Sequence, residues 1–578
     1  MRTLKKNTAW KLLGDRARGR WLALLGLGVV CGGMGLKALT ARPLEPLRSP
    51  AILAAVETQF PSNWRPRLDP NPANLAADLE IWECDVAVIG GSLGGVAAAA
   101  QVMQSGATAC LIEAAPWLGG QISAQGVSAI DESLIMRQRQ NFSPQWRAFK
   151  RLLKSQPIIG LPGKRVADTN ACWVGELCFP PKLGKVAAET WLLQAAAQSP
   201  QSRWATATAF KGADFDPTGR EITAIYGVKR APRSPDYVPE GRFAGSLGRW
   251  YSWGSDERFE KTPLKLQAPP GKRLWVIDAT DTGELVGWAD IPHRLGSDAR
   301  ETTGEINAGD WDNPDCTQAL TFPFVVEIAD DGGASLTALQ AIEPDKSAFS
   351  AAEHRQEFSL GRTPTFIGRS FFHYRRILST TGNDPVRGRP AKGDWTLVNW
   401  NPGNDWNWMN PPAILTADRL KVSGQRQNWL GGMSPIALQN AHDRALIFAQ
   451  WLLETQTQPE YPLSYLAGAD SPMGTQSGLS LTPYIREGRR ILGREAYGQE
   501  EFYLREADLR RDQPGGRDFS QTAVAIAHYD IDIHGCRYRN WGPSGEARSA
   551  PKGETAVRPL QIPLESLIPQ GIDNVLID

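Results

Sequence analysis

Two groups of residues in this chain have types and spacings that could do chemistry. The first is Gly90-Gly91-Ser92-Leu93-Gly94-Gly95, followed by an acid, Glu113, 23 residues beyond Gly90. Gly90 suits a tight turn at a strand end, and Gly95 suits close approach of a helix to that strand. A helix starting there would turn unpaired N–H groups and its positive dipole end toward a pyrophosphate. A carboxylate at the distance of Glu113 suits the hydroxyls of a ribose. The middle glycine of the usual GxGxxG pattern is Ser92, small enough to admit phosphates. The second group is His528, Asp532 and His534 in HYDIDIHG. In an extended segment these three face one side. A carboxylate beside imidazoles orients a ring and raises its basicity, which suits proton abstraction. Arg486, Arg489 and Arg490 in YIREGRR are candidates to hold an anion; on a helix, Arg486 and Arg490 share a face. Bland alternatives stand beside each: a βαβ unit without ligand, a polar strand with surface histidines, and surface charge.

The first group sits where its chemistry requires. Residues 84–89 read as a buried strand, VAAAAQVMQ as a helix closed by Gly106, and ATACLIE (107–113) as a second strand ending at Glu113. This is a βαβ unit, the context such a glycine motif needs. WATATAF (204–210) and EITAIYGV (221–228), joined by Asp-Pro-Thr-Gly, predict a hairpin. RLWVIDATDTGEL (273–285) predicts a strand running into a turn at Gly283, and ALQNAHDRALIFAQWLLE (437–454) an amphipathic helix. The Trp-rich loop carrying Asn399, Asn404 and Asp405 either lines a cavity or makes turns, as does His373-Tyr374-Arg375. His293, His354 and His442 are isolated and read as structural.

FAD and NAD fit the first motif equally. The residues that follow separate them. Pro116-Trp117-Leu118-Gly119-Gly120-Gln121 resembles flavoproteins of the glutathione-reductase type, in which a Gly-Gly turn after the acid lies along the FAD. The resemblance implies cofactor contacts at Gly119, Gly120 and Gln121, and a strand ending in Asp278-Ala279-Thr280 beside the dinucleotide. CWVGELCFPPKLG (172–184), LVNWNPGNDW (397–406), PYIREGRRILG (483–493), HYDIDIHG and LQIPLESLIPQGIDNVLI (560–577) look like the FAD-dependent oxidoreductase family. The family's flavin domain is similar to that of the heterodisulfide reductase flavin subunit, but the cysteine clusters of its iron–sulfur members are missing here.

The expected fold is therefore α/β: a Rossmann-like, three-layer FAD domain over 83–300, rejoined at 521–578, with a mixed α/β substrate or cap domain at 301–520. The resemblance further implies a turn and a long helix beyond Asp578, so the chain reads as truncated, with weakened FAD binding. A second GxGxxG and a redox CxxC are not visible, which disfavours a dedicated NAD(P)H reductase or a disulfide reductase. What remains is oxidation of a small organic substrate by hydride transfer to flavin, with oxygen or a carrier as acceptor. The catalytic candidates are His528, Asp532, His534 and Arg486. The alternatives are a cofactor-poor remnant that binds a partner and an NAD-dependent oxidoreductase.

A formal charge of +1 gives no reason to expect nucleic acid. The scattered cysteines predict no metal site, and Cys172 and Cys178, the only near pair, read as free thiols, with a bridge in an oxidising compartment as the alternative. At the N-terminus a basic stretch precedes the uncharged WLALLGLGVVCGGMGL (21–36). It reads as a short membrane anchor or signal over 1–45, followed by a linker at 46–82, so the protein is expected at a membrane or exported, the alternative being cytoplasmic.

Overall fold

The computed structural model describes residues 79–341, 349–382, 384–409, 411–537 and 556–578. The expected N-terminal apolar helix and most of the linker lie outside the described residues. Among the described residues no helix is long and apolar enough to cross a membrane.

The end of the expected linker is a strand, β1 (Glu80–Glu83). Cys84 and Asp85 then separate it from β2 (Val86–Ile89), so the expected strand 84–89 begins two residues late. The β-branched residues of β2 suit a pleated, buried strand. Helix α1 (Leu93–Gln104) starts where Ser92 caps it, its Oγ accepting the Gly95 N–H at 3.0 Å. α1 stops at Ser105, and Gly106 turns the chain with φ +84° into β3 (Ala109–Ile112). Helix α2 (Pro181–Ala196) leads to β4 (Arg203–Ala205). The hairpin β5 (Thr208–Phe215) and β6 (Ile222–Pro232) follows, then α3 (Phe243–Tyr251), β7 (Phe259–Gln267) and β8 (Trp275–Asp278). Further along come β9 (Phe324–Ile328), β10 (Arg376–Leu378), β11 (Trp395–Val398), α4 (Pro435–Thr455) and β12 (Leu463–Tyr465). The chain closes with β13 (Ala523–Ala527), β14 (Leu560–Pro563) and β15 (Val575–Ile577).

Five strands make one parallel sheet in the order β15-β8-β2-β3-β4. Numbered by their place in the chain this is 5-4-1-2-3, the doubly wound order, whose direction reverses between β2 and β8. The α/β expectation therefore holds in its parallel sheet. Val96, Ala99, Ala100 and Met103 of α1 pack with Ala188, Leu192 and Ala195 of α2 on one face. Burying a side chain the size of Val or Met stabilises by about 1.5–3 kcal/mol. The other face, with Ala87, Cys110 and Ile112, meets the four-stranded sheet β1-β7-β6-β5 through Phe210, Ile225, Leu264 and Leu266.

A separate antiparallel sheet, β10-β11-β9-β12, lies in the later part of the chain with α4. α4 is less amphipathic than expected: from Asn440 to Ala449 every residue is buried. It lies between β12 and α3, so it has little face left for solvent.

Two further expectations fail. Cys172 and Cys178 are not free thiols; they are bonded to each other, and Cys84–Cys110 and Cys316–Cys536 form two more disulfides. Residues 483–489 are not helical. Pro483 and Gly488 interrupt them, and only Arg490–Ile491 is regular, as a short strand.

Candidate functional site

The register of the parallel sheet brings Ile89, Ile112, Asp278 and Ile577 level at its carboxyl edge. A cleft opens there, at the switch between β2 and β8. Gly90, Glu113, Gln125, Thr280, Asp281 and Glu284 are among its lining residues. Gly90 has φ +97°, and a Cβ on it would stand 2.5 Å from the Ala279 carbonyl oxygen. Only glycine lets β2 turn that close to the end of β8. A Cβ on Gly95 would stand 2.1 Å from the Gly90 oxygen, which is the close helix–strand approach expected of it.

Glu113 lies in the cleft with its carboxylate turned back to the glycine loop. Oε2 accepts the Gly91 N–H at 2.5 Å and Oε1 the Ala115 N–H at 2.6 Å. Burial pushes its pKa up to about 7, against the pull of those two N–H groups. Two more buried carboxyls share the cleft. Burial lifts Asp281 to about 6, although Gln125 Nε2 donates to it at 2.6 Å. Burial lifts Glu284 to about 7, although Trp429 Nε1 and Tyr251 Oη each donate to it at 2.7 Å. Gln125, Asp281 and Glu284 were not singled out from sequence. Only Asp281, directly after Asp278-Ala279-Thr280, carried a signal.

The other cofactor candidates surround the loop. The Gly119 N–H donates to the Gly91 carbonyl at 2.8 Å, and Gly120 lies against Ser92. Gln121 is exposed and is not among the cleft-lining residues. Asp278 faces its own turn, accepting from Thr280 Oγ1 at 2.6 Å and from the Val286 N–H at 3.2 Å. Ala279 backs Gly90, and Thr280 lines the cleft.

These residues fit a dinucleotide. The N–H groups of Ser92, Leu93 and Gly94 have no acceptor among the described residues. They are the donors a helix start offers to phosphate. The Asp578 carboxyl reaches the same turn: a Cβ on Gly94 would be 1.5 Å from its Oδ2, and burial raises its pKa. The amides of 92–94 would hold the pyrophosphate and Glu113 the ribose.

A second polar cluster lies beyond the Thr482–Ile485 wall of the cleft. Arg486 donates to the Ala319 carbonyl at 2.8 Å, Thr321 Oγ1 at 2.9 Å, Asn399 Oδ1 at 3.2 Å and Asp405 Oδ1 at 3.1 Å. Asp405 also accepts from Thr321 Oγ1, and its Oδ2 pairs with His534 Nδ1 at 2.5 Å. His534 Nε2 lies 3.3 Å from Asp532 Oδ2, whose side chain is mostly exposed. Burial opposes charge on His534, but the carboxylates of Asp405 and Asp532 outweigh it and raise the pKa above the ordinary imidazole value. Arg375 joins through the Asn399 carbonyl at 2.8 Å and Asp131 at 3.7 Å.

The structure thus brings Arg486, Asp532 and His534 together but leaves His528 out. β13 ends at Ala527, so the alternation expected of HYDIDIHG does not operate. His528 Nδ1 bonds Ser133 Oγ at 2.7 Å instead. Both terminal nitrogens of Arg486 are taken by protein partners, so it orders the cluster. Arg489 is buried on the carbonyls of Thr282, Leu415 and Gly432. His293, His354 and His442 are held neutral by burial, their pKa values pushed down to about 4, 3 and 3.

A family model described as FAD dependent oxidoreductase matches residues 85–234 and 273–578. The chain belongs to that family. FAD, the cofactor in that family's name, is a dinucleotide of the kind these residues fit. No curated protein matches the chain. Among solved structures it is similar to L-proline dehydrogenase from P. horikoshii, at 16% identity over 39% of this chain and 26% of that one, TM-score 0.16. It is similar to THI4 from Thermovibrio ammonificans at 14% identity, over 41% of this chain and 65% of that one, TM-score 0.20. A geranylgeranyl bacteriochlorophyll reductase-like protein from Thermoplasma acidophilum shares 13% identity over 44% and 48%, TM-score 0.21. The chain therefore covers less than two thirds of each of these proteins.

Proposed function

We propose that this member of the family oxidises a small organic substrate carrying a hydroxyl or amine, and that the electrons leave through oxygen or a separate carrier. One observation carries the reading: the His534 imidazole, paired to the buried carboxylate of Asp405, lies beyond the same wall that closes the cleft. Thr482 N–H bonds the Ala124 carbonyl at 3.2 Å on the cleft side, and Tyr484 pairs with Thr321 on the cluster side. FAD, when bound, supplies the two-electron acceptor. The chain's own residues do the rest. Asp405 holds the proton of His534 on Nδ1; in the neutral ring Nε2 is unprotonated and takes a proton from the substrate, and Asp532 stabilises the imidazolium so formed. Arg486 fixes Asp405.

The test is anaerobic. Protein reconstituted with FAD is mixed with a panel of alcohols, hydroxy acids and amines, and loss of the flavin's visible absorption is followed. At least one class should bleach the flavin in the wild type, and His534→Asn should slow that step by about 10²–10⁴-fold with FAD still bound. Equal rates in the variant would sink the role given to His534. Absence of FAD uptake by the wild type would sink the reading as a whole. Membrane attachment through residues 21–36 belongs to the same proposal and is read from fractionation of the full chain.

A further inference from the structure

The segment that carries His534 has no helix or strand of its own, yet its imidazole must stay between two carboxylates. Local hydrogen bonds hold it on one side: Ala319 N–H donates to the His534 carbonyl at 2.9 Å, and His534 N–H donates to Gln318 Oε1 at 3.1 Å. Each such bond is worth about 1 kcal/mol net. A covalent link lies alongside. Cys536, two residues beyond His534, is bonded to Cys316, five residues before Thr321, across 220 residues of sequence. Both cysteines are buried. Thr321 is the residue whose hydroxyl contacts Asp405 and Arg486. The disulfide therefore ties the strip bearing the imidazole to the strip bearing its carboxylate's partners.

We propose that Cys316 and Cys536 are a positioning pair: their disulfide holds the His534 ring on Asp405, and breaking it frees the ring. The pair acts through His534 and touches neither cofactor nor substrate. Its consequence for turnover rests on the role of His534 proposed above; its structural content does not. The groups that set the ring's charge are Asp405 and Asp532, which favour it, and Arg486, which opposes it. A freed ring exchanges these for water.

The experiment uses the full chain with histidines isotope-labelled and the FAD-loaded protein titrated by NMR, the His534 signal being assigned from its loss in His534→Asn. In the wild type it should titrate above the ordinary imidazole value of about 6.5. In the Cys316→Ser/Cys536→Ser variant the midpoint should fall toward that value while the flavin spectrum is unchanged. An unchanged midpoint overturns the proposal. The Cys316→Ala/Cys536→Ala variant covers failure of the serine pair to fold. If neither variant takes up FAD, the proposal also fails, because the bond is then a requirement of the fold and not a positioning device. Retention of full activity in His534→Asn would sink the proposed function but leave this titration intact.

Discussion

Replacing Asp405 by Asn should loosen the polar cluster at its centre. The Asp405 side chain is 0% exposed, and its partners Arg486 and His534 are 9% and 16% exposed. Removing one member of a buried, hydrogen-bonded ion pair costs about 3–5 kcal/mol, because the other charge is left uncompensated. Asn keeps the shape, and its oxygen still accepts from Thr321 and Arg486. Arg486 also retains the Ala319 carbonyl and Asn399. The expected loss therefore lies at the lower end, about 3 kcal/mol. The amide side of Asn can only donate, so His534 Nδ1 must become the acceptor and its proton must move to Nε2, the atom proposed to receive one. Burial works against the Asp405 carboxylate, but Arg486, His534 and Thr321 outweigh it and hold its pKa well below the ordinary range. A depressed carboxylate stabilises the fold above its unfolded pKa and loses that contribution as pH falls through the folded value. The variant should lack this acid-side loss. Urea unfolding at neutral pH and at about pH 2 reads both effects. Unfolding free energies within about 0.5 kcal/mol of wild type, with the His534 titration unmoved, would refute the claim that Asp405 organises the cluster.

Three further outcomes are expected. Gly90→Ala meets both a positive φ and the Ala279 backbone, so it should destabilise by more than about 1–3 kcal/mol and abolish FAD uptake, read by thermal unfolding and flavin absorbance. The raised pKa of Glu113 means that the folded state holds a proton which the unfolded state has released between pH 4.5 and about 7. Stability of the FAD-free protein should then fall as pH rises through that window, by up to about 3 kcal/mol for this group. Glu113→Gln should flatten the fall, and an unaltered pH profile in urea would count against the burial argument. Asp578→Ala removes the carboxylate beside Gly94 and should tighten FAD binding by about twofold to fivefold, as a titration of flavin fluorescence would show.

The parts of the fold legible in sequence were those fixed by neighbours in the chain. Ser92, Gly95 and Gly106 shape α1 through contacts within a few residues, and Glu113 meets Gly91 because one βαβ unit returns it there. The hairpin was legible, but its start was not. Trp204 and Ala205 belong to β4, and Ala207 takes φ +50° so that the chain can pass from the parallel sheet to the antiparallel one. Nothing in WATATAF marks that switch, because both halves are equally good strand sequence. The cluster fared differently. Asp405, Arg486, Asp532 and His534 were each noticed for their type, but their joining depends on β9–β12, the loop after Asn399 and a disulfide closing 220 residues. His528 shows the cost of reading such a group by local periodicity: six residues from His534, it pairs with Ser133, 395 positions away. Chemistry that needs backbone amides and one acid is written into a single supersecondary unit. The proposed proton acceptor, by contrast, is placed by contacts between distant strips, Thr321 to Asp405 and Cys316 to Cys536, which no local reading of the sequence contains.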